Sequence, residues 1–188
     1  MTNALWTRDE LIVVFNLYLK LPFGKLDKRT PEVKALAELI GRTDNAVSMR
    51  LNNYAHVDPY HQQRGIVGLK NGVRQVQAIW DEFINDQETL VFESERILAD
   101  YQHKTLEEKY PEIVFDVENL KGEVKIRAVK TRVNQSVFRQ MILKTYSNQC
   151  AISGIDLPEL LVAGHIVPWS ENEAERLNPE NGICLSNL

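Results

Sequence analysis

The chain has 188 residues, 22 of them basic and 26 acidic, with a formal net charge of −4 and a hydrophobic share of 44%. That length suits one ordinary domain or two small ones, and the apolar share excludes wholesale disorder. The net charge by itself does not point to nucleic acid. The N-terminus lacks a basic region followed by a long apolar run, and no apolar stretch approaches a membrane span. A soluble, cytoplasmic protein with no membrane partner is expected. The two cysteines, Cys150 and Cys184, form no CxxC pair, so no zinc knuckle is read, and they suit a reducing compartment.

Thr7 to Lys20 reads as a helix. Thr7 with Glu10 three residues on makes a capping-box pattern, and Leu11, Phe15, Tyr18 and Leu19 recur at helical spacing. Leu21-Pro22-Phe23-Gly24 ends it, and 25–30 is a basic loop. Thr30-Pro31 opens a second helix with the stripe Val33, Leu36, Ala37 and Ile40, stopped by Gly41. A third helix, capped by Thr43 or Asp44, carries Ala46, Val47, Leu51 and Tyr54 on one face and Asn45, Ser48, Arg50 and Asn52 on the other. Two short helices joined by a Gly-containing turn have the layout of a helix-turn-helix. Residues 58–72 read as a loop, 73–85 as a helix and 88 to about 102 as another. Residues 106–122 form the linker candidate. Residues 123–133 alternate apolar and charged side chains (Val124, Ile126, Ala128) and read as a strand or an extended arm. A helix marked by Val137, Met141 and Ile142 follows. Residues 149–154 read as a strand into a turn, and 160–169 as a second strand ended by Pro168. A polar loop then reaches the tight-turn pair Asn181-Gly182, and 183–188 start a last strand or helix.

Charge is unevenly placed. Residues 101–120 carry Glu107, Glu108, Glu112, Asp116 and Glu118 against Lys104 and Lys109. Residues 121–144 carry Lys121, Lys125, Arg127, Lys130, Arg132, Arg139 and Lys144 against Glu123 alone. A local basic stripe is what phosphate binding needs, whatever the total; a solvated strand face would look the same.

The pieces FR…Y…QCAISG, LL-x-A-x-HI-x-PW and RLNPENGICL, over about 134–188, resemble in order and spacing the HNH endonucleases of bacterial restriction-type proteins. The resemblance implies a β-hairpin followed by a helix around one divalent metal. It implies that His165 is the general base and that Asn181 holds the catalytic loop or orients the histidine. Hydrolysis of a phosphodiester needs an activated water, charge compensation at the phosphate and a stabilised leaving oxygen. A neutral imidazole can take a proton from water, and a bound Mg²⁺ or similar ion would offset charge. Arg139 and the basic residues before it (Arg132, Lys130, Arg127) would hold backbone phosphates. W-T-x-x-E-L and GRTDNAVSMRLNNY look like the Myb-like or N-terminal domains found beside such cores, with Arg42, Asn45 and Arg50, and also Ser48 and Asn52, as candidate DNA contacts. Many HNH motifs carry an Asp or His just before the base. Gly164 stands there, and the chain ends before the family's last motif helix, so the metal ligands are unknown and truncation is expected.

Blander readings exist for each feature. His165 could be a satisfied core histidine, Asn181-Gly182 a plain turn, the cysteines small buried hydrophobes and Trp169 a packing residue. The expectation is an α+β chain. It has a helical, helix-turn-helix-bearing domain (1–105), a linker and basic arm (106–133) and an incomplete ββα-metal core (134–188). It would act on double-stranded DNA as a metal-dependent endonuclease of restriction or defence type, the chain as written being a weakly active or inactive form. A homodimer would suit cutting of both strands. The competing expectations are a non-catalytic DNA-binding or regulatory protein with an HNH remnant, and a protein-interaction module.

Overall fold

The computed structural model describes residues 5–21, 23–65, 68–111, 113 and 119–187, and for Phe23 the backbone alone. Pro22 and the acidic residues Glu112, Asp116 and Glu118 lie outside the described residues. The fold is mostly helical with one small antiparallel sheet near the C-terminus, compatible with the α+β expectation. It divides into two compact units, residues 1–86 with 93–106, and residues 87–92 with 107–188.

In the first unit, α1 (Arg8–Lys20) begins as the sequence predicts. Thr7 Oγ1 accepts from the Glu10 amide at 3.2 Å, and the Glu10 carboxylate accepts from the Thr7 amide at 2.8 Å. Two of the helix's orphan amides are thereby satisfied. α2 (Pro31–Leu39) starts with Pro at its first position and ends in a Schellman turn. Gly41 adopts φ +68°, and Arg42 N donates to Ala37 O at 2.9 Å. α3 (Asp44–Val57) is capped by Thr43, whose hydroxyl accepts from Ala46 N.

Residues 58–72 are not a plain loop as expected. Asp58 Oδ1 accepts from Tyr60 N at 2.9 Å, and with Pro59 behind it this cap supports the short helix α4 (Pro59–Gln63). α5 (Val73–Phe83) follows, then α6 (Gln87–Tyr101), whose residues 93–101 group with this unit. α3 packs on α1, α2 and α5. Phe15 and Tyr54, both fully buried, stack at 4.6 Å, and the Tyr54 hydroxyl donates to Leu11 O at 2.9 Å. Burial drives the Tyr54 hydroxyl far above the ordinary tyrosine range, so it stays a donor.

The short helix α7 (Leu106–Lys109) starts at the last residue of the first unit, and the second unit holds the 24-residue helix α8 (Gly122–Thr145). It closes on strands β1 (Leu161–His165) and β2 (Gly182–Ser186). Here the expectation of a strand or extended arm over 123–133 is corrected. The alternation Val124-Lys125-Ile126-Arg127 is not a burial pattern, since Val124 and Ile126 are both 61% exposed. The real periodicity begins later. Val129, Val133 and Val137 recur every fourth residue, all buried, and no Pro interrupts the helix. Of the strand into a turn expected over 149–154, only the turn is present. Gly154 N donates to Cys150 O at 3.1 Å and Cys150 N donates to Ile155 O at 2.8 Å, which folds the segment back on itself. Both cysteines are buried and free.

β1 and β2 pair antiparallel, with His165 opposite Gly182. α8 packs on both strands. A Cβ on Gly182 would stand 2.6 Å from Ile142 Cγ1 and 2.8 Å from Phe138 Cζ, so the strand approaches the helix as only glycine allows. Gly182→Ala should therefore cost about 1–3 kcal/mol by overpacking. Urea denaturation of the variant checks this; an unchanged midpoint would mean that the helix–strand contact is looser than these distances imply.

Candidate active site

His165 is the last residue of β1 and faces α8. Its ring stacks on Phe138, with centroids 3.8 Å apart and planes 12° apart. Trp169 meets it edge-on at 5.3 Å. Its Nε2 lies 2.9 Å from the carbonyl oxygen of Arg176. A carbonyl can only accept, so Nε2 carries the hydrogen, and a neutral imidazole so held keeps its lone pair on Nδ1. The residue is half-buried. One ring face, one edge and one nitrogen are thus taken up by the protein, and the nitrogen left over is the basic one.

The chain between the strands, 166–181, is organised by Asn181. This residue is 5% exposed. Its Oδ1 accepts from Val167 N at 2.7 Å, and its Nδ2 donates to Val167 O and Glu175 O, both at 3.1 Å. Its own carbonyl accepts from Ile166 N at 2.9 Å. The amide therefore ties the start of the loop to its far end, with both donors used. Two Asx caps brace the same loop. Asn172 Oδ1 accepts from Ala174 N, and Asn178 Oδ1 accepts from Glu180 N, each at 3.0 Å.

Arg176 sits in the middle of this loop. Its Nε donates to Trp169 O at 2.8 Å, its Nη1 donates to the Glu88 carboxylate at 2.9 Å, and its guanidinium lies 5.3 Å from the centre of the Trp169 ring. Glu88 belongs to the segment 87–92 of this unit. Its backbone carbonyl accepts from Asn134 Nδ2 of α8 at 3.1 Å. Phe138, Arg176 and Glu88 do not stand out as site residues in the sequence. The first two lie inside the motif pieces without a chemical signature of their own, and Glu88 is 88 residues from its partner.

The basic candidates fall into two groups. On α8, Arg127 and Arg132 are exposed, Arg132 reaching Gln135 Oε1 at 3.0 Å. Lys130 donates to Thr89 Oγ1 at 2.6 Å, and Arg139 donates to Pro158 O and Leu161 O at 3.1 and 2.9 Å, tying the helix to the start of β1. In the first unit the side chains mostly serve the fold. Arg42 binds both Glu10 carboxylate oxygens, at 2.7 and 2.8 Å, and Leu5 O at 2.9 Å. Arg50 donates to Asn53 Oδ1 and Gly72 O, and burial lowers its affinity for a proton. Arg42 and Arg50 both lie over the Trp6 ring, at 4.9 and 5.1 Å. Ser48 donates to Leu26 O and Asn52 to Ser48 O, while Asn45 is exposed beside Met49.

Among the described residues, no group of three or more His, Cys, Asp or Glu side chains converges as a metal site. The donors near His165 are carbonyls and amides already paired within the loop, and Gly164 adds none. These residues do not make a complete cation site. Cys150 is not a substitute ligand cluster. Its thiol is brought down to about 6 by the Ser153 side chain and by the Ser153 and Ile152 amides, while burial raises Cys184.

On the β-hairpin, the Arg176 carbonyl thus engages Nε2 of His165, and Asn181 bonds across the loop that joins the two strands. Residues 150–188, which contain His165, Asn181 and both strands, match the family described as HNH endonuclease. The match covers this C-terminal segment alone and supports an assignment to the HNH endonucleases, a family of nucleases. No curated protein and no solved structure matches the chain. No helix among the described residues is long and apolar enough to cross a membrane.

Proposed function

We propose that the protein is a metal-dependent DNA endonuclease of bacterial restriction or defence type, cytoplasmic, in which His165 accepts the proton of the attacking water at Nδ1. The observation that carries this reading is the Nε2 contact with the Arg176 carbonyl. It fixes the tautomer without using the basic nitrogen. Water adds to phosphorus, its proton passes to Nδ1, and the bond from phosphorus to the leaving ester oxygen breaks, with that oxygen taking up a proton. Asn181 positions the loop and does not itself react. The family leads us to expect Mg²⁺ or Mn²⁺. Full-length protein should cut or nick plasmid with either ion and stop on chelation. DNA binding without cutting under any cation would favour a non-catalytic, DNA-binding role instead.

The substrate side of the proposal rests on α8. Lys125, Arg132 and Arg139 are seven residues apart and all exposed, so they share one face with only about 20° of drift per step. At roughly 1.5 Å per residue they span about 21 Å, a length suited to successive phosphates along a duplex. Arg127 and Lys130 fall on the opposite side of the helix, and Lys130 bonds Thr89 there. On α3, Asn45 is the candidate whose side chain faces solvent, while Arg42 and Arg50 would reach DNA only by leaving fold contacts. Affinity for duplex DNA should fall steeply with salt. Lys125→Gln with Arg132→Gln should lessen the log–log slope by about 0.9 per phosphate contact removed. A slope unchanged by both substitutions would take α8 out of the DNA interface. A homodimer that cuts both strands is the assembly we propose for a symmetric site.

A further inference from the structure

We infer that Arg176 and Glu88 form a positioning clamp that selects the tautomer of His165, so that which ring nitrogen is left as acceptor is set by an ion pair whose carboxylate comes from far outside the family-matched segment. The inference rests on the reading of His165 as proton acceptor and adds the residues that make it one. The geometry runs in a short chain. The Arg176 carbonyl receives Nε2 of His165 at 2.9 Å. That carbonyl is a loop atom, so its place depends on what holds residue 176. The side chain of the same residue does so from two sides. Nε donates to Trp169 O, and Nη1 donates to Glu88 Oε2. Arg176 and Glu88 are only 17% and 21% exposed, so the pair is partly shielded from water and salt. Glu173, at 3.5 Å from Nη1, is 82% exposed and adds little.

Trp169 closes the circuit. Its carbonyl takes the Arg176 Nε hydrogen bond, its ring lies under the guanidinium, and the same ring meets His165 edge-on. Moving the guanidinium therefore shifts both the carbonyl that holds Nε2 and the ring that borders the imidazole. On the other side, Glu88 is anchored to α8 by Asn134, four residues before the Phe138 that stacks on His165. The imidazole and its clamp thus hang from one helix. A forked guanidinium is required, because a lysine ammonium cannot serve the Trp169 carbonyl and the Glu88 carboxylate with the same fixed geometry.

The test reads the imidazole directly. In a two-bond proton–nitrogen spectrum of the full-length protein, His165 (assigned by the loss of its signals in His165→Ala) should show a single Nε2–H tautomer. In Arg176→Gln and in Arg176→Lys, its two nitrogens should move toward each other as the tautomers mix. Exchange of the Nε2 hydrogen should speed up about 3- to 10-fold, the loss of one ordinary hydrogen bond. The methyl signals of Ile142 and Leu161, buried in the same unit, serve as internal controls of folding. Glu88→Gln leaves Arg176 in place and should shift His165 in the same direction, and it decides the matter if the Arg176 variants unfold. In cutting assays, kcat should drop about 10- to 100-fold with KM little changed. Wild-type tautomer and exchange in Arg176→Gln, or in Glu88→Gln should the former not fold, would overturn the clamp. A locked tautomer in a protein that never cuts DNA would instead fault the nuclease reading and leave the clamp standing.

Discussion

Arg42→Ala should destabilise the first unit by about 3 kcal/mol, while leaving the DNA affinity of the folded molecules nearly unchanged. Removing one partner of a buried ion pair leaves the other charge uncompensated, which costs about 3–5 kcal/mol when burial is complete. Glu10 is 5% exposed, but the Arg42 side chain is 17% exposed, so the lower end applies. The same carboxylate caps α1 through the Thr7 amide, and Arg42 follows directly on the Schellman turn of α2. One ion pair therefore joins the start of α1 to the turn between α2 and α3. Burial pushes the Glu10 carboxyl up, but the hydrogen bonds from Arg42 and Thr7 and the charge of Arg42 outweigh it and hold the carboxyl below its ordinary 4.5. A depressed carboxylate contributes stability that is complete above its unfolded value and is lost as pH falls through the folded value. The wild type should thus lose stability below about pH 4.5, and Arg42→Ala should flatten that acid limb. Denaturant titrations at several pH values check both statements. A variant as stable as wild type but weaker in DNA binding would return Arg42 to the role of a phosphate contact.

Apart from α4, the helices of the first unit were legible because their ends are written in local chemistry. Thr7 with Glu10, Thr30 before Pro31, Thr43, and Gly41 at a left-handed position each act within a few residues, and Leu11, Phe15, Val47 and Leu51 supply the matching period. α8 was not legible at its start. Lys125 and Arg127 alternate with Val124 and Ile126 as a strand would, and only the buried valines one turn later show the helical register. The strand half of 149–154 has a similar cause. An apolar run around Cys150 suits a strand, but Ile152 is 82% exposed and the backbone bonds close a turn.

In the site, His165 and Asn181 were visible as motif residues, and the Asn181 side chain bonds Val167 and Glu175 across the loop. What surrounds His165 was hidden, because it is tertiary. Phe138 comes from α8, the Nε2 acceptor is a backbone carbonyl that carries no sequence signature, and Glu88 arrives from a segment read only as part of a helix. The candidates on α3 illustrate the reverse. A polar face at helical spacing suggests a groove-reading helix, yet Ser48 and Asn52 satisfy backbone carbonyls and Arg50 bonds Asn53 and Gly72. Sequence spacing tells which face a residue occupies, not whether its hydrogen bonds are already spent.

The largest expected loss belongs to His165. On the proposed mechanism, removing the imidazole removes the general base, and the Asn181 amide, neutral and fully engaged, cannot replace it. A positioned general base contributes about 10²- to 10⁴-fold to rate. Phe138 would lose its stacking partner, but the strand pairing and the Asn181 bonds do not pass through the His165 side chain, so the fold should survive. His165→Gln preserves most of the volume and offers an Nε2 amide donor to the Arg176 carbonyl, without a basic nitrogen, which separates packing from proton transfer. The most direct measurement is plasmid cutting under single-turnover conditions with Mg²⁺ or Mn²⁺, with duplex affinity measured in parallel on the same preparations. The expected result is cutting by the wild type, a loss of about 10²- to 10⁴-fold in both His165→Ala and His165→Gln, and unaltered DNA binding. Cutting at the wild-type rate by either variant would contradict the role assigned to His165.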